Sequence, residues 1–414
     1  MDRVILHCDM NNFYASVECR MNPSIRHMYV AVCGNTAERH GIVLAKNQKA
    51  KLKGVKTGQA IWEAKLKCPD LIVIQPHFEK YAYYSKRARE IYYRYTDMVE
   101  PFGMDECWLD VTASVSLFGS GEKIAHMIRR SIKEELGLTV SVGVSFNKIF
   151  SKLGSDLKKP DAVTVIGKET FREKIWDLPV EDLLGVGRST LKKLHRLGLR
   201  TIGQLAQFPR EYLVDKFGKN GGALWDYANG LENSRVLDHE QHFPAKSISH
   251  GITTTEDLVN SDQVWRVILE LSQQVAHKLR AQGMAAGAVQ LSVKNKMLVT
   301  TDFQCRCAYP QQNAMALAKQ AYKMFSKRYD WSQNVRALSV RAIALQPAGE
   351  PLQLDFFTDV GEYERKNVIE VTVDDIRARY GERSLRNAVL LQDIKMPAAK
   401  PEVMLPDGSF FRKS

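Results

Sequence analysis

The segment EPFGMDECWLDV, residues 100 to 111, sets Asp105 and Glu106 side by side between two short apolar runs. Side chains along a strand alternate faces, so neighbouring acids within one would point to opposite sides of the sheet. A turn suits them better. Met98 to Phe102 and Cys107 to Val111 read as strands with Gly103 breaking them, giving a hairpin with a carboxylate pair at its tip. Crowded carboxylates raise each other's pKa unless a cation lies between them. Magnesium fits, because it takes oxygen ligands and is commonly held by one or two carboxylates plus a substrate's phosphates. A third acid, Asp9, follows the strand-like run from Val4 to Leu6. Solvated turn acids are the plainer alternative.

Working outward, the element order places these acids together. The strand at residues 3 to 9 is followed, after an insertion, by a helix from Phe78 to Thr96 with Tyr81, Ser85, Ala88 and Tyr92 on one face. Then come the hairpin, a helix from Glu122 to Leu136 ended by Gly137, and the strand TVSVGVS at 139 to 145. Strand, helix, strand, strand, helix, strand is the ferredoxin-like order. In it the first strand lies against the third, so Asp9 should meet Asp105 where a two-metal phosphoryl-transfer site can form.

The insertion, residues 10 to 77, reads as a small subdomain with strands near 29 to 33 and 41 to 45 and helices near 11 to 20 and 59 to 67. Its stretch AKNQKAKLKG carries Lys46, Lys49, Lys51 and Lys53 within eight residues. Charge alone fits a solvated helix face as well as a triphosphate grip. Further on, LLGVGRSTLKKL sets the Gly185 to Gly187 turn before a helix, where free backbone N–H groups favour a phosphate, and LHRLGLRTIGQLAQF continues the spacing of a helix-hairpin-helix. Residues 232 to 243 read as a polar linker. The strand, helix and hairpin order then repeats over 246 to 345, with Lys294, Asn295 and Lys296 at the second hairpin tip.

The chain has 414 residues, enough for two to four domains, and a formal net charge of +12. Residues 1 to 345 carry 49 basic against 35 acidic side chains, and the second repeat 13 against 6, which makes a polyanion the expected partner. Seven scattered cysteines without a CxxC pair argue for reduced thiols and against a zinc site. Without an apolar leader or a long apolar span, a cytoplasmic protein with no membrane partner is expected.

DMNNFYASVE (9 to 18), GMDECWLDVT (103 to 112), SVGVSFNKIFSKLGSDLKKP (141 to 160) and LLGVGRSTLKKLHRLG (183 to 198) together resemble the Y-family translesion DNA polymerases, most closely the bacterial DNA polymerase IV type. The resemblance implies an α+β multidomain fold. Residues 1–9 and 78–166 would be a ferredoxin-like palm, 10–77 inserted fingers, and 167–233 a thumb with a helix-hairpin-helix. A linker at 234–245, a second ferredoxin-like domain at 246–345 called the little finger, and a tail at 346–414 would follow.

It further implies an error-prone, template-directed DNA polymerase without proofreading, taking primer-template DNA and deoxynucleoside triphosphates and acting as a monomer. Asp9, Asp105 and Glu106, with the Met10 carbonyl, would hold two Mg²⁺ ions, Glu106 being the catalytic acid. Tyr14 would be the steric gate beneath the sugar, and Lys159 would reach the triphosphate. Where the family commonly has a Tyr and an Arg on the fingers helix, this chain has Gln48 and Lys51, and lysine lacks arginine's bidentate fork. Gly185, Gly187, Lys294 and Lys296 would grip DNA. QLDFF at 353 to 357 is similar to the peptide that binds the β sliding clamp, with Gln353, Leu354, Phe356 and Phe357 as anchors. A nucleotidyl cyclase shares such a palm but needs neither the DNA grip nor the clamp peptide. A catalytically weak, clamp-associated DNA-binding scaffold would keep those parts and lose the acids. A tail helix is expected to start near Thr372, with Asp374 and Asp375 at its positive end.

Overall fold

The structure is a computed structural model that describes residues 2–35, 39, 41–238, 245–350, 360–381 and 384–397. Two compact units emerge among them, one from residues 2–34 and 42–238, the other from residues 35, 39 and 41 together with those described between 245 and 397.

The first unit opens on β1 (Ile5–Met10) and α1 (Phe13–Met21), then β2 (Val30–Cys33), β3 (Val43–Lys46), α2 (Gln48–Leu52), α3 (Ile61–Lys67) and β4 (Ile72–Ile74). It continues with α4 (Phe78–Tyr92), β5 (Val99–Pro101), β6 (Glu106–Asp110), α5 (Val115–Phe118), α6 (Gly121–Ser131), β7 (Val140–Ser145), α7 (Lys148–Leu157) and β8 (Val163–Ile166). Strands β5-β6-β1-β7-β8 make one sheet, the ferredoxin-like order with β8 added parallel to β7 at the edge. All six residues of β1 are buried, as befits a central strand covered on both faces. Leu6, Cys8 and Met10 face one core with Tyr81, Ala88, Ile91, Ile124 and Ile128, the apolar stripes of α4 and α6. On the other face α7 lies almost on the backbone of β7. A Cβ at Gly143 would stand 1.9 Å from the Ser151 carbonyl oxygen, so only glycine admits this approach.

Between β1 and α4 the chain forms a separate sheet, β3-β2-β4. After β8 come α8 (Phe171–Ile175), α9 (Arg188–Arg196), α10 (Ile202–Gln207), α11 (Arg210–Phe217) and α12 (Lys219–Ala228) around their own apolar cluster. A reciprocal cap starts α10: the Gln204 N–H donates to Thr201 Oγ1, and Gln204 Oε1 accepts from the Thr201 N–H.

The expected linker is only partly one. Residues 239–244 lie outside the described part, but the segment before them packs on the sheet. Val236 is fully buried with Ile5 and Trp108, Arg3 donates to the carbonyls of Asn233 and Ser234, and Glu100 accepts from the Leu237 N–H and from the Lys148 ammonium. A single Val-Leu pair amid polar residues gives little sequence signal, which is why the stretch reads as free.

The second unit comprises β9 (Ser247–Leu258), α13 (Ser261–Ala281), β10 (Met284–Asn295), β11 (Thr300–Gln311), α14 (Ala314–Arg328), β12 (Val335–Pro347) and α15 (Val360–Tyr380). Its order of elements repeats the first sheet as expected, but its strand order does not. The sheet runs β11-β10-β12-β9, all antiparallel, so the first strand is at an edge instead of the centre, and the expectation of a second ferredoxin-like sheet holds for element order alone. Helix α15 begins twelve residues before Thr372. Asp374 caps nothing: it pairs with Arg280 at 2.7 Å, while Asp375 pairs with Arg379 one turn on.

Candidate active site

The site is built at the end of β1. Asp9 stands directly across from Glu106 in the β1–β6 register, and the Met10 N–H donates to the Asp105 carbonyl at 3.0 Å, closing the turn before β6. Asp105 therefore belongs to the turn and Glu106 opens the strand, a small correction to a pair placed wholly at the hairpin tip. Burial, then the charges of Asp9 and Glu106, push the Asp105 carboxyl up to about 7.

Two lysines stand among the acids. Lys152 Nζ lies 2.7 Å from Glu106 Oε2, 3.2 Å from Asp9 Oδ2 and 3.4 Å from Asp156 Oδ2. Lys159 Nζ lies 2.6 Å from Asp9 Oδ2 and 2.7 Å from Asp156 Oδ1. Burial alone would lower the Lys152 pKa, but Asp9, Glu106 and Asp156 outweigh it and hold the ammonium well above its usual range. Beneath them His7 is fully buried, which keeps its pKa well below the ordinary value. Its Nδ1 is 2.9 Å from Ser155 Oγ and its Nε2 is 3.2 Å from Glu106 Oε2.

Helix α7 delivers this set because Lys148, Lys152, Ser155 and Asp156 recur at i, i+4, i+7 and i+8 and so share a face. Asn147 caps its start, accepting from the Phe150 N–H at 2.8 Å. Lys152, Asp156, Ser155 and His7 were not singled out in the sequence. The signals were there, a Lys and an Asp four apart in SKLGSD and a His two residues before Asp9.

The acids form one wall of a cavity of about 400 Å³, within the usual range for small-ligand sites. Lys46, Gln48, Lys51 and Lys159 line it too, as does Tyr14. Lys49 and Lys53 do not: the first donates to the His27 carbonyl and the second lies over the Tyr29 ring. Lys46 donates to Thr57 Oγ1 at 2.8 Å.

Tyr14 stacks on Tyr81 with ring centroids 4.2 Å apart and meets the edge of Phe78 at 6.0 Å, and its hydroxyl points to Met104 Sδ. Tyr81 in turn donates to the buried Glu18, which also meets His77 at 2.9 Å. The gate candidate is thereby fixed, while Phe13 beside it is ordinary core.

Among the described residues no three acid, histidine or cysteine side chains are gathered closely enough to cage a metal by themselves. Magnesium is a hard cation that takes oxygen ligands and is commonly bound jointly with a substrate's phosphates. The oxygen-only carboxylates and the strained charge of Asp105 fit such an ion, and Cys8 and Cys107 are buried in the sheet with their thiols protonated.

Gly187 precedes α9 and a Cβ there would meet nothing within 4 Å, so the turn is open outward; Gly185 has φ +94°. Lys294 and Lys296 sit at the tip of the β10–β11 hairpin, the first half-buried and the second exposed. Gln353, Leu354, Phe356 and Phe357 fall outside the described residues.

A sheet with carboxylates at one edge, a lysine-lined cavity beside them and a helical DNA-grip candidate define a palm-type nucleotidyltransferase. Comparison with known proteins agrees. The model of the impB/mucB/samB family matches residues 8–156, that of its C-terminal domain residues 245–356, and that of the DNA polymerase-iota thumb domain residues 181–232. DNA polymerase IV of Acetivibrio thermocellus is 50% identical over 95% of this chain and 98% of its own length, and that of Moorella thermoacetica is 36% identical over 94% and 96%. Among solved structures, a Y-family DNA polymerase chimera, Dbh-Dpo4(243-245)-Dbh, shares the fold with a TM-score of 0.72 at 22% identity, covering 82% of this chain and 98% of that one. The chain belongs to the Y family of translesion DNA polymerases, in the DNA polymerase IV group. It is a DNA-directed DNA polymerase, and the scaffold alternative falls away.

Proposed function

We propose that the acidic end of β1 is where a primer 3'-hydroxyl attacks the α-phosphate of an incoming deoxynucleoside triphosphate, displacing pyrophosphate. The observation that carries this is Asp9 in register with Glu106, with Asp105 beside them, on the wall of a cavity that Lys46, Lys51 and Lys159 share. Two Mg²⁺ ions held by Asp9, Asp105, Glu106 and the Met10 carbonyl would supply Lewis-acid stabilisation of the developing charge. The protein's own groups bind and orient. Lys159, Lys51 and Lys46 neutralise the triphosphate and Gln48 adds a polar contact, a looser grip than an arginine fork gives. The Tyr14 ring, held by Tyr81, excludes a 2'-hydroxyl.

The β1–β6 sheet with its helices serves as palm, the β3-β2-β4 subdomain as fingers, α8 to α12 as thumb and the second unit as little finger. Gly185, Gly187, Lys294 and Lys296 address DNA phosphates without reading bases. No helix of the described residues is long and apolar enough to cross a membrane, and we place the enzyme in the cytoplasm as a monomer. Its membership among translesion polymerases supports copying with errors. Magnesium-dependent extension of a primer on a defined template tests the reading; no template-directed incorporation by the folded protein would refute it. QLDFF is assigned to the β sliding clamp. Changing Phe356 and Phe357 to Ala should weaken clamp binding at least roughly thirtyfold with basal extension intact, and an undiminished clamp response would move the contact elsewhere.

A further inference from the structure

Two of the three acids, Asp9 and Glu106, share one ammonium. Asp9 and Glu106 face each other from neighbouring strands, with side chains 6% and 21% exposed, and two carboxylates set so close repel each other unless a cation lies between them. Lys152 supplies it. Its ammonium has three N–H donors and three carboxylate neighbours, Glu106, Asp9 and, one helical turn along α7, Asp156. Asp156 is the most exposed of the three, with 45% of its side chain open to solvent, and it already shares a second cation with Asp9 through Lys159.

We propose that Lys152 is a placeholder cation, a positioning residue that occupies the metal's place between Asp9 and Glu106 and withdraws to Asp156 when the metal site is filled. The oxygens it touches, Asp9 Oδ2 and Glu106 Oε2, belong to the acids assigned to the metals. An ammonium and a divalent cation cannot share them without strong repulsion in a buried site. Lys152 therefore opposes loading of a metal on the free enzyme. Phosphates arriving with a nucleotide tip the balance, so that metal and nucleotide load together. Asp156 sets how easily the lysine leaves.

The inference rests on the metal assignment above and makes two predictions of opposite sign. Lys152→Gln should bind Mn²⁺ in the absence of nucleotide about tenfold more tightly than the parent, and nucleotide should then enhance metal binding less. Asp156→Asn, which removes the retreat, should bind Mn²⁺ more weakly. Lys152→Arg, which keeps the charge, should stay close to the parent. Metal affinity is read by electron paramagnetic resonance titration of free Mn²⁺ on the full chain, with and without a non-hydrolysable deoxynucleoside triphosphate, after thermal melting has shown each variant folded. Unchanged or weaker Mn²⁺ binding by Lys152→Gln overturns the proposal. Should that variant not fold, unchanged or tighter binding by Asp156→Asn overturns it and weaker binding supports it. Asp105→Asn separates the two readings: if it binds Mn²⁺ as the parent does, the metal assignment itself has failed.

Discussion

Two sheets in this molecule are built from the same succession of strands and helices, and only one carries an acidic centre. In the first, β1 is central, flanked by β6 and β7, so its end meets the turn of the β5–β6 hairpin. In the second, β9 is an edge strand and β12 separates it from β10 and the hairpin. The end of the first strand and the hairpin are then two strands apart, roughly 10 Å, too far for their side chains to share an ion. The strands of the second sheet are also longer, 12 or 13 residues against 3 to 6, or roughly 40 Å of extended chain. Crossing order, not element order, decides whether a fold of this kind concentrates charge at a point or spreads it along a surface.

The comparison breaks most visibly at its acidic side. Asp105→Asn should reduce nucleotide incorporation on the order of a thousandfold, the loss of several kcal/mol of charge stabilisation. Primer-template affinity should stay within about twofold if, as proposed, Gly185, Gly187, Lys294 and Lys296 make the phosphate contacts. Single-turnover incorporation and a binding titration measure the two, and substantial extension by the variant would remove Asp105 from the centre. Next in size, Tyr14→Ala should raise ribonucleotide incorporation relative to deoxyribonucleotide by about a hundredfold, the order expected when a site stops rejecting one group. Competitive incorporation reads it, and equal discrimination in variant and parent would place the gate on another residue.

On the basic side, changing Lys294 and Lys296 together to Ala should lower the slope of log affinity against log salt by about 1.8, two phosphate contacts at roughly 0.9 each. Incorporation from the bound complex should be unaffected. An unchanged slope would mean the hairpin tip does not touch DNA. The smallest effect is thermal. The Asp105 pKa is raised in the folded state from 3.8 to about 7, so its contribution to stability is present at low pH and fades as pH rises through that window. Metal-free protein should lose melting temperature from this group between about pH 4 and 7, and Asp105→Asn should flatten that part of the profile. A parallel decline in both proteins would assign it to other groups.

The acidic centre was legible because β1 and the hairpin are short and their order fixes their pairing; a strand-period argument suffices to join Asp9 with residues near 105. Tyr14, Gln48 and Lys159, which line the cavity, were singled out only through resemblance, since a lone aromatic, glutamine or lysine carries no positional signal, whereas Lys51 also stands in the basic run AKNQKAKLKG. Lys152 and Asp156 escaped because their place beside the acids depends on α7 lying flat against β7, which a glycine in a strand hints at without proving. The strand order of the second sheet escaped for a different reason: long antiparallel strands can pair in more than one order with the same helices between them. Helix α15 was misplaced because polar contacts fasten it. Arg280 reaches Glu370 and Asp374, and Arg377 reaches Gln273, so no apolar stripe advertises its start.

The subdomain between β1 and α4 has a sheet of its own, and the palm sheet needs none of its strands. The acids are held by the register of β1 with β6, which the length of that excursion does not alter, and lengthening a loop adds only slowly to its closure entropy. The excursion therefore behaves as an exchangeable cassette. Its size and outer surface are free to diverge among descendants, provided that Tyr14 keeps its ring on Tyr81 and Lys46, Gln48 and Lys51 keep their places on the cavity wall, while a single residue gained or lost within β1 would turn Asp9 to the opposite face, away from Glu106.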